Sequence, residues 1–263
     1  MNAPEKITRA AEILANARNA GQKLAGLPDD VAPTSEDEAF AIQREVMRLL
    51  GLSVGGWKCA APPGKPQSGA PMPASGFQRS PARQPFRADE QIGVEGEIAL
   101  RLGADLPGRS DGKPYTRDEV LAAVAAAMPA IELVSSRFVD LRAVPPLVGM
   151  ADSIAHFAFI HGDDAPGWHS LDLSHLRVRL DFAGEVQVDQ VGGNPSGDPL
   201  SGVVWLANRL IGTGTHLRAG EIITTGSCTG LIFTSPDKPV TVEFEGLGTA
   251  SVELVGACPF GFG

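Results

Sequence analysis

The segment Val94-Glu95-Gly96-Glu97-Ile98 carries two carboxylates two residues apart. In a β-strand such side chains leave the same face, so Val94 and Ile98 would hold one face and both glutamates the other. The strand rise separates the two glutamates by about 7 Å at the backbone, close enough for their oxygens to meet on one cation. Gly96 between them leaves room for another backbone or a ligand to approach. The plain alternative is a strand face wetted by solvent, where glutamates alternate without any task. A third carboxylate stands in Pro129-Ala130-Ile131-Glu132-Leu133-Val134, alone in an apolar run. Burying that charge is expensive unless it is paired or ligates a metal. An ion pair of Glu132 with Arg137 or Arg142 is the bland explanation. Three glutamates with no His or Cys nearby would make an all-oxygen site, suited to Mg²⁺ or Mn²⁺ and ill suited to zinc.

A lysine completes the candidate chemistry. Gly55-Gly56-Trp57-Lys58-Cys59 places Lys58 beside a bulky aromatic at a glycine-rich strand start. A lysine that is partly desolvated, or close to a cation, loses its proton more easily and can serve as acid or base. A surface lysine with its stem laid on apolar neighbours is the alternative. The five histidines are His156, His161, His169, His175 and His216, and none precedes the paired glutamates. His156, between Ala155 and Phe157, reads as a satisfied histidine of a sheet.

Helices and strands must bring these groups together. Ile7, Ala11, Leu14 and Ala17 recur at helical spacing. A second helix is expected from Ser35, an N-cap with Glu38 at the capping-box position, over Ala39, Ile42, Val46 and Leu49 to Gly51. Further helices start at Thr116, with Glu119 three places on, and at Asp198-Pro199. Residues 60–85 hold 7 of the 21 prolines, which predicts a lid, a binding loop or a linker there and excludes a helix or an interior strand. Strands follow over Ile92–Leu102 and Leu176–Phe182. Ala183-Gly184 turns the latter towards Val186 and Val188, and Val240–Phe244 returns through Gly246-Leu247-Gly248 to Ala250–Leu254. Strands without regular βαβ alternation argue for an α+β fold with a largely antiparallel or mixed sheet. The expected division is a helical region over 1–55, too small to fold alone, and a β domain over 56–263.

Composition narrows the partners. Of 263 residues, 22 are Lys or Arg against 31 Asp or Glu, a net charge of −9. Without a basic run, neither nucleic acid nor an anionic membrane surface is expected as a partner. The alanine-rich stretch from Leu121 to Ile131 is broken by Pro129 and is too short to span a bilayer. The opening Met1-Asn2-Ala3-Pro4-Glu5-Lys6 lacks the apolar core of a secretion signal. Cys59, Cys228 and Cys258 are odd in number and without a CxxC pair, which fits reduced thiols in a cytoplasmic protein.

Taken in order, Gly-Trp-Lys at 56–58, Val-Glu-Gly-Glu-Ile-Ala-Leu-Arg-Leu-Gly-Ala-Asp-Leu from Val94 and Pro-Ala-Ile-Glu-Leu-Val-Ser-Ser-Arg-Phe from Pro129 resemble the fumarylacetoacetate hydrolase superfamily. Within it the chain is similar to the branch of 2-keto-4-pentenoate hydratases and 4-oxalocrotonate decarboxylases. Trp205-Leu206-Ala207-Asn208 and the run from Leu217 to Cys228 support this, and the likeness extends to Leu254. The resemblance implies a twisted mixed β-sandwich or roll behind a small helical region. It matches Glu95, Glu97 and Glu132 to three carboxylates that hold Mg²⁺ or Mn²⁺, and Lys58 to an active-site lysine. It sets Asp152 and Ser153 where relatives carry an Asp-Asn pair near the substrate, and Thr225, Gly226 and Ser227 where they offer donors to a substrate carboxylate. The implied activity is a metal-dependent lyase hydrating a 2-hydroxy-2,4-dienoate, in a homo-oligomer that is a dimer or larger. A decarboxylase comes second, then a C–C bond hydrolase, then a binding or assembly protein that has lost its chemistry. Two departures stand out: no Asp or Glu lies between Lys58 and Asp89, where hydratases of the branch carry an Asp, and Ser153 replaces an Asn.

Overall fold

The capping residues begin helices where they stand. In chain order the elements are α1 (Ala3–Ala20), α2 (Glu36–Leu49), β1 (Val54–Ala60), β2 (Ser68–Pro73), β3 (Phe77–Arg79), β4 (Ala82–Arg87), β5 (Ile92–Leu102), α3 (Arg117–Ala123), β6 (Val124–Val134), α4 (Pro146–Ala151), β7 (His156–His161), β8 (Arg177–Phe182), β9 (Glu185–Val191), α5 (Pro199–Leu210), β10 (Ile222–Ser227), β11 (Ile232–Thr234), β12 (Pro239–Phe244) and β13 (Gly248–Ala257). They come from a computed structural model that describes residues 2–87, 90–109, 112–235 and 237–257. The tail over 256–263 reads from sequence either as loose or as reaching into a neighbour, and its residues from Cys258 on lie outside the described residues. Thr116 and Glu119 form a full capping box, and Asp198 caps α5 with Pro199 in its first turn. Ser35 forms half of one: its Oγ accepts from Glu38 N at 3.2 Å, while the Glu38 carboxylate turns to Thr34 N and Lys6, each at 2.7 Å.

Two mixed sheets carry the rest, as expected of the α+β class. The larger has eight strands in the order β2-β1-β10-β5-β6-β7-β3, with β11 also pairing β5, and the smaller runs β4-β13-β12-β8-β9. Strands β2 and β3 sit at opposite edges of the larger sheet, yet only the 3-10 turn Ala74–Gly76 separates them in sequence. So short a link forces the sheet to roll until its edges approach, which is the roll the resemblance implied. The two β hairpins read from the sequence pair as β8–β9 and β12–β13.

The proline-rich stretch departs from expectation. It is not a long loop, because β2, β3 and β4 form within it. Each is an edge strand, where a proline's missing N–H leaves no partner unsatisfied. The exclusion of an interior strand therefore holds, while the lid or linker does not.

Alternation sorts the larger sheet into two faces. Val94, Ile98, Leu100, Ile131, Leu133 and Ile160 form one core with Val178, Leu180, Val240, Val242, Val252 and Leu254 of the smaller sheet. Inside the roll a separate cluster forms from Met72, Ala99, Ala126, Met128, Ala130, Phe159 and Ile222. Glu95, Glu97 and Ala99 alternate onto this inner side. Helices α1 and α2 pack on the stretch between β6 and β7: Leu14, Phe40 and Ile42 share a cluster with Phe138, Val148, Met150 and Ala151. Buried Gln43 donates to Gly69 O at 3.1 Å and to Met150 O at 2.6 Å, tying α2 to β2 and to the segment entering Asp152. Among the described residues no helix is long and apolar enough to cross a membrane.

Candidate metal centre

The antiparallel register of β5 and β6 sets Glu95 opposite Glu132 and Glu97 opposite Ala130. Carboxylates on two neighbouring strands thus share one face. One oxygen from each of Glu95, Glu97 and Glu132 lies within 4.8 Å of the others. Glu97 and Glu132 are buried and Glu95 is half-buried, so the wetted strand face is excluded. Neither arginine pairs Glu132: its Oε1 accepts from Lys58 Nζ at 2.5 Å, while Arg137 pairs with Asp152. Gly96 does mark a close approach, but of side chains. A Cβ there would stand 2.8 Å from Val242 Cγ2 and 2.9 Å from Thr229 Cγ2.

Glu97 and Glu132 are held by protein donors. Glu97 Oε2 accepts from Thr224 Oγ1 and from Gly226 N at 3.0 Å. Thr224 is the parallel register partner of Lys58, so β1 and β10 deliver both groups to the same side. Glu132 Oε1 also accepts from His156 Nδ1 at 3.0 Å, and its Oε2 is buried without a protein partner. An ionised oxygen left so is costly, and a divalent cation would satisfy it. The residues therefore fit a hard cation: all-oxygen donors, one bare oxygen, and three carboxylates facing one lysine.

The electrostatics say the same. Burial raises Glu95 to about 7, with Lys58 opposing and Glu132 adding. Burial and the charges of Glu132 and Glu95 raise Glu97 to about 8. For Glu132, burial pushes up but Lys58 and His156 prevail and hold it below the usual carboxylate range. Burial alone would lower Lys58; the charges of Glu132, Glu95 and Glu97 outweigh it and raise the lysine. With ionised Glu132 on its Nζ, buried Lys58 is an ammonium and not the snorkelling surface lysine.

Lys58 Nζ also donates to Ile154 O at 3.3 Å. That carbonyl is presented by an unusual backbone, because Ser153, Ile154 and Ala155 have φ of 52°, 51° and 59°. Left-handed conformation costs a non-glycine residue about 1–2 kcal/mol and is rarest for a β-branched one. Asp152 and Arg137 clamp this run from its start. Asp152 Oδ2 accepts from Ser136 Oγ and Arg137 N, each at 3.0 Å, and Oδ1 accepts from Arg137 Nε. Among the described residues Asp152 makes no hydrogen bond or ion pair with Lys58 or the three glutamates. Buried Ser153 opens the left-handed run. Thr225 and Gly226 are similarly engaged: Thr225 Oγ1 donates to Ile98 O at 2.8 Å, and Gly226 N is on Glu97. Ser227 is half-buried and bonds Gly230 O at 3.1 Å.

Sequence reading passed over Thr224 and the proximity of His156. The first was legible, since alternation along β10 puts Ile222 and Thr224 on the inner side and Thr225 on the other. The second was not, since β7 reaches Glu132 only through pairing with β6. The expectation of no histidine beside the glutamates is corrected by that pairing. His156 is also not fully satisfied, because its Nε2 has no partner.

The sequence model of the family described as Fumarylacetoacetate (FAA) hydrolase C-terminal matches residues 65–255. The chain belongs to the fumarylacetoacetate hydrolase family. Within the family it is 30% identical to a 2-keto-4-pentenoate hydratase of Paraburkholderia xenovorans (strain LB400), over 95% of this chain and 96% of that one. A 4-oxalocrotonate decarboxylase of Pseudomonas putida is 28% identical over 95% and 97%. The solved structure of 4-oxalocrotonate decarboxylase from Pseudomonas putida G7, complexed with magnesium and adipate, superposes with a TM-score of 0.84 at 24% identity, covering 97% of this chain and 99% of that one. This family member therefore shares its fold along nearly the whole chain.

Proposed function

We propose that the chain is a metal-dependent lyase that hydrates a 2-hydroxy-2,4-dienoate to a 4-hydroxy-2-oxo acid, using Mg²⁺ or Mn²⁺ held by Glu95, Glu97 and Glu132. The observation that carries the reading is the buried carboxylate trio with Lys58 on one of its oxygens. The hydratase relatives, matched along almost their full length, supply the substrate class. A bound divalent ion supplies Lewis-acid stabilisation of negative charge on the oxygens of a 2-oxo acid. Lys58 moves the proton: its ammonium gives one to the far carbon of the diene and regains one from the substrate hydroxyl, and this ketonisation leaves a conjugated enone. Water then adds across that double bond, its hydroxyl to C4 and its hydrogen to C3. Glu132 Oε1 and Ile154 O aim Nζ, and Asp152, through Arg137, holds the backbone run that bears Ile154. Ser227, half-buried at the end of β10, is the hydroxyl of the Thr225–Ser227 stretch most open to a substrate carboxylate. The reading carries a cytoplasmic homo-oligomer with it, and sedimentation of the purified chain measures the oligomer.

A decarboxylase is the second reading, favoured by one observation. No Asp or Glu lies between Lys58 and Asp89 to serve as a base for water, and loss of CO₂ needs no activated water. Decay of dienoate absorbance with purified protein and Mg²⁺ tests the proposal, with CO₂ release from a 2-oxo-3-enedioate as the second arm. Decay that disappears with EDTA and with Glu97→Ala supports hydration. No decay across several dienoates, or decay indifferent to both treatments, refutes it.

A further inference from the structure

His156 opens β7 and is fully buried. Its Nδ1 is 3.0 Å from Glu132 Oε1, the oxygen that Lys58 Nζ meets at 2.5 Å. An ionised carboxylate oxygen only accepts, so Nδ1 is the donor. Two donors thus converge on Oε1 and none reaches Oε2. Among the described residues the buried side-chain polar atoms without a partner are Gln43 Oε1, Glu132 Oε2 and His156 Nε2. Two of these belong to the one pair at the metal centre, so the pair is incomplete as a purely structural contact.

The backbone that carries the imidazole is also held. Arg137 Nη1 donates to His156 O at 2.9 Å while Arg137 is tied to Asp152. The left-handed run from Ser153 to Ala155 then delivers His156 into β7. A lysine is a point charge on a flexible stem and can follow either oxygen of a carboxylate. In the proposed reaction Lys58 also gains and loses a proton, so it is a poor sole anchor. The stiff imidazole supplies a donor that stays.

We infer that His156 is a positioning residue for Glu132: it pins Oε1 towards the protein and so presents Oε2 to the cation. The inference rests on the trio being the metal centre and adds to it how one ligand is oriented. Donors of this kind typically change metal affinity by about 10–100-fold when removed.

The test is Mn²⁺ binding to the full chain by electron paramagnetic resonance, alongside melting of the metal-free protein. His156→Asn sets an amide nitrogen near the Nδ1 position, whereas His156→Leu keeps bulk without a donor. The expected result is Mn²⁺ affinity weakened about 10–100-fold in His156→Leu and close to wild type in His156→Asn. At saturating Mn²⁺ the kcat of His156→Leu should largely recover, since Lys58 is untouched. If His156→Leu does not fold, His156→Gln, whose longer arm carries its amide past the Nδ1 position, should show the same weakening. Wild-type affinity in the Leu or Gln variant overturns the inference, as does equal weakening in Asn and Leu that tracks lost stability. Mn²⁺ binding that follows the expected order without any dienoate turnover would leave the inference standing and remove the proposed reaction instead.

Discussion

Two buried ion pairs lie close together in this molecule, Arg137–Asp152 and Lys58–Glu132, and they differ in how completely they are satisfied. Arg137 donates to both the side chain and the carbonyl of Asp152, to Ser135 O at 2.8 Å and to His156 O at 2.9 Å. Asp152 fills its second oxygen with Ser136 Oγ and Arg137 N. Arg18 and Lys23 also feel both charges, but neither oxygen of Asp152 is left bare. Around Lys58–Glu132, two further carboxylates crowd the lysine and one buried oxygen stays bare. A saturated pair can only hold a backbone in place, whereas an unsaturated one retains the capacity to bind and to move protons. The contrast supports the proposed reading, in which the first pair is scaffolding and the second does chemistry.

Substitution should separate the pairs sharply. Lys58→Met is expected to lower kcat by about 10²–10⁴-fold while the chain stays folded and still binds Mn²⁺, as single-turnover rates and calorimetry would record. Loss of folding together with activity would place Lys58 in the scaffold instead. Arg137→Met should do the reverse, costing about 3–5 kcal/mol of stability because Asp152 is left buried and unpaired, read by urea denaturation. A smaller, continuous effect should come from pH. Glu95 and Glu97 sit at about 7 and about 8 in the folded chain, above the ordinary 4.5. Groups raised in this way contribute stability below 4.5 that is lost as pH rises through 7 to 8. The melting temperature of metal-free protein should therefore fall across that window, and the gain from added Mg²⁺ should widen over the same range. A flat profile with EDTA would contradict the crowding of the trio. Smallest of all, Ser35→Ala, far from both pairs, should cost about 1 kcal/mol through loss of the cap on α2 and leave turnover unchanged.

The sequence made local features legible and left convergence obscure. Capping residues placed the starts of α2, α3 and α5, and period-two alternation placed β5, β8, β12 and β13, because both are properties of neighbours along the chain. The paired glutamates belong to this class. Strands β2, β3 and β4 were obscured by their prolines, since what admits proline there is edge position, a fact of the sheet and not of the segment. Glu132 was visible as a charge in an apolar run, but its partner was not, since Lys58 reaches it from β1 across the rolled sheet. Asp152 drew attention by its type, and the structure shows that its carboxylate is occupied by Arg137. The bond from His156 to Glu132 depends on the register between β6 and β7 and on a left-handed run that no residue type announces.

Calorimetric titration of Mn²⁺ into the wild-type chain and into Glu97→Ala tests the metal centre most directly. One ion per chain in the wild type, with binding abolished in the variant and its fold intact by circular dichroism, is the predicted result. A wild-type chain that takes up no Mn²⁺, or a variant that binds as well as its parent, would contradict it.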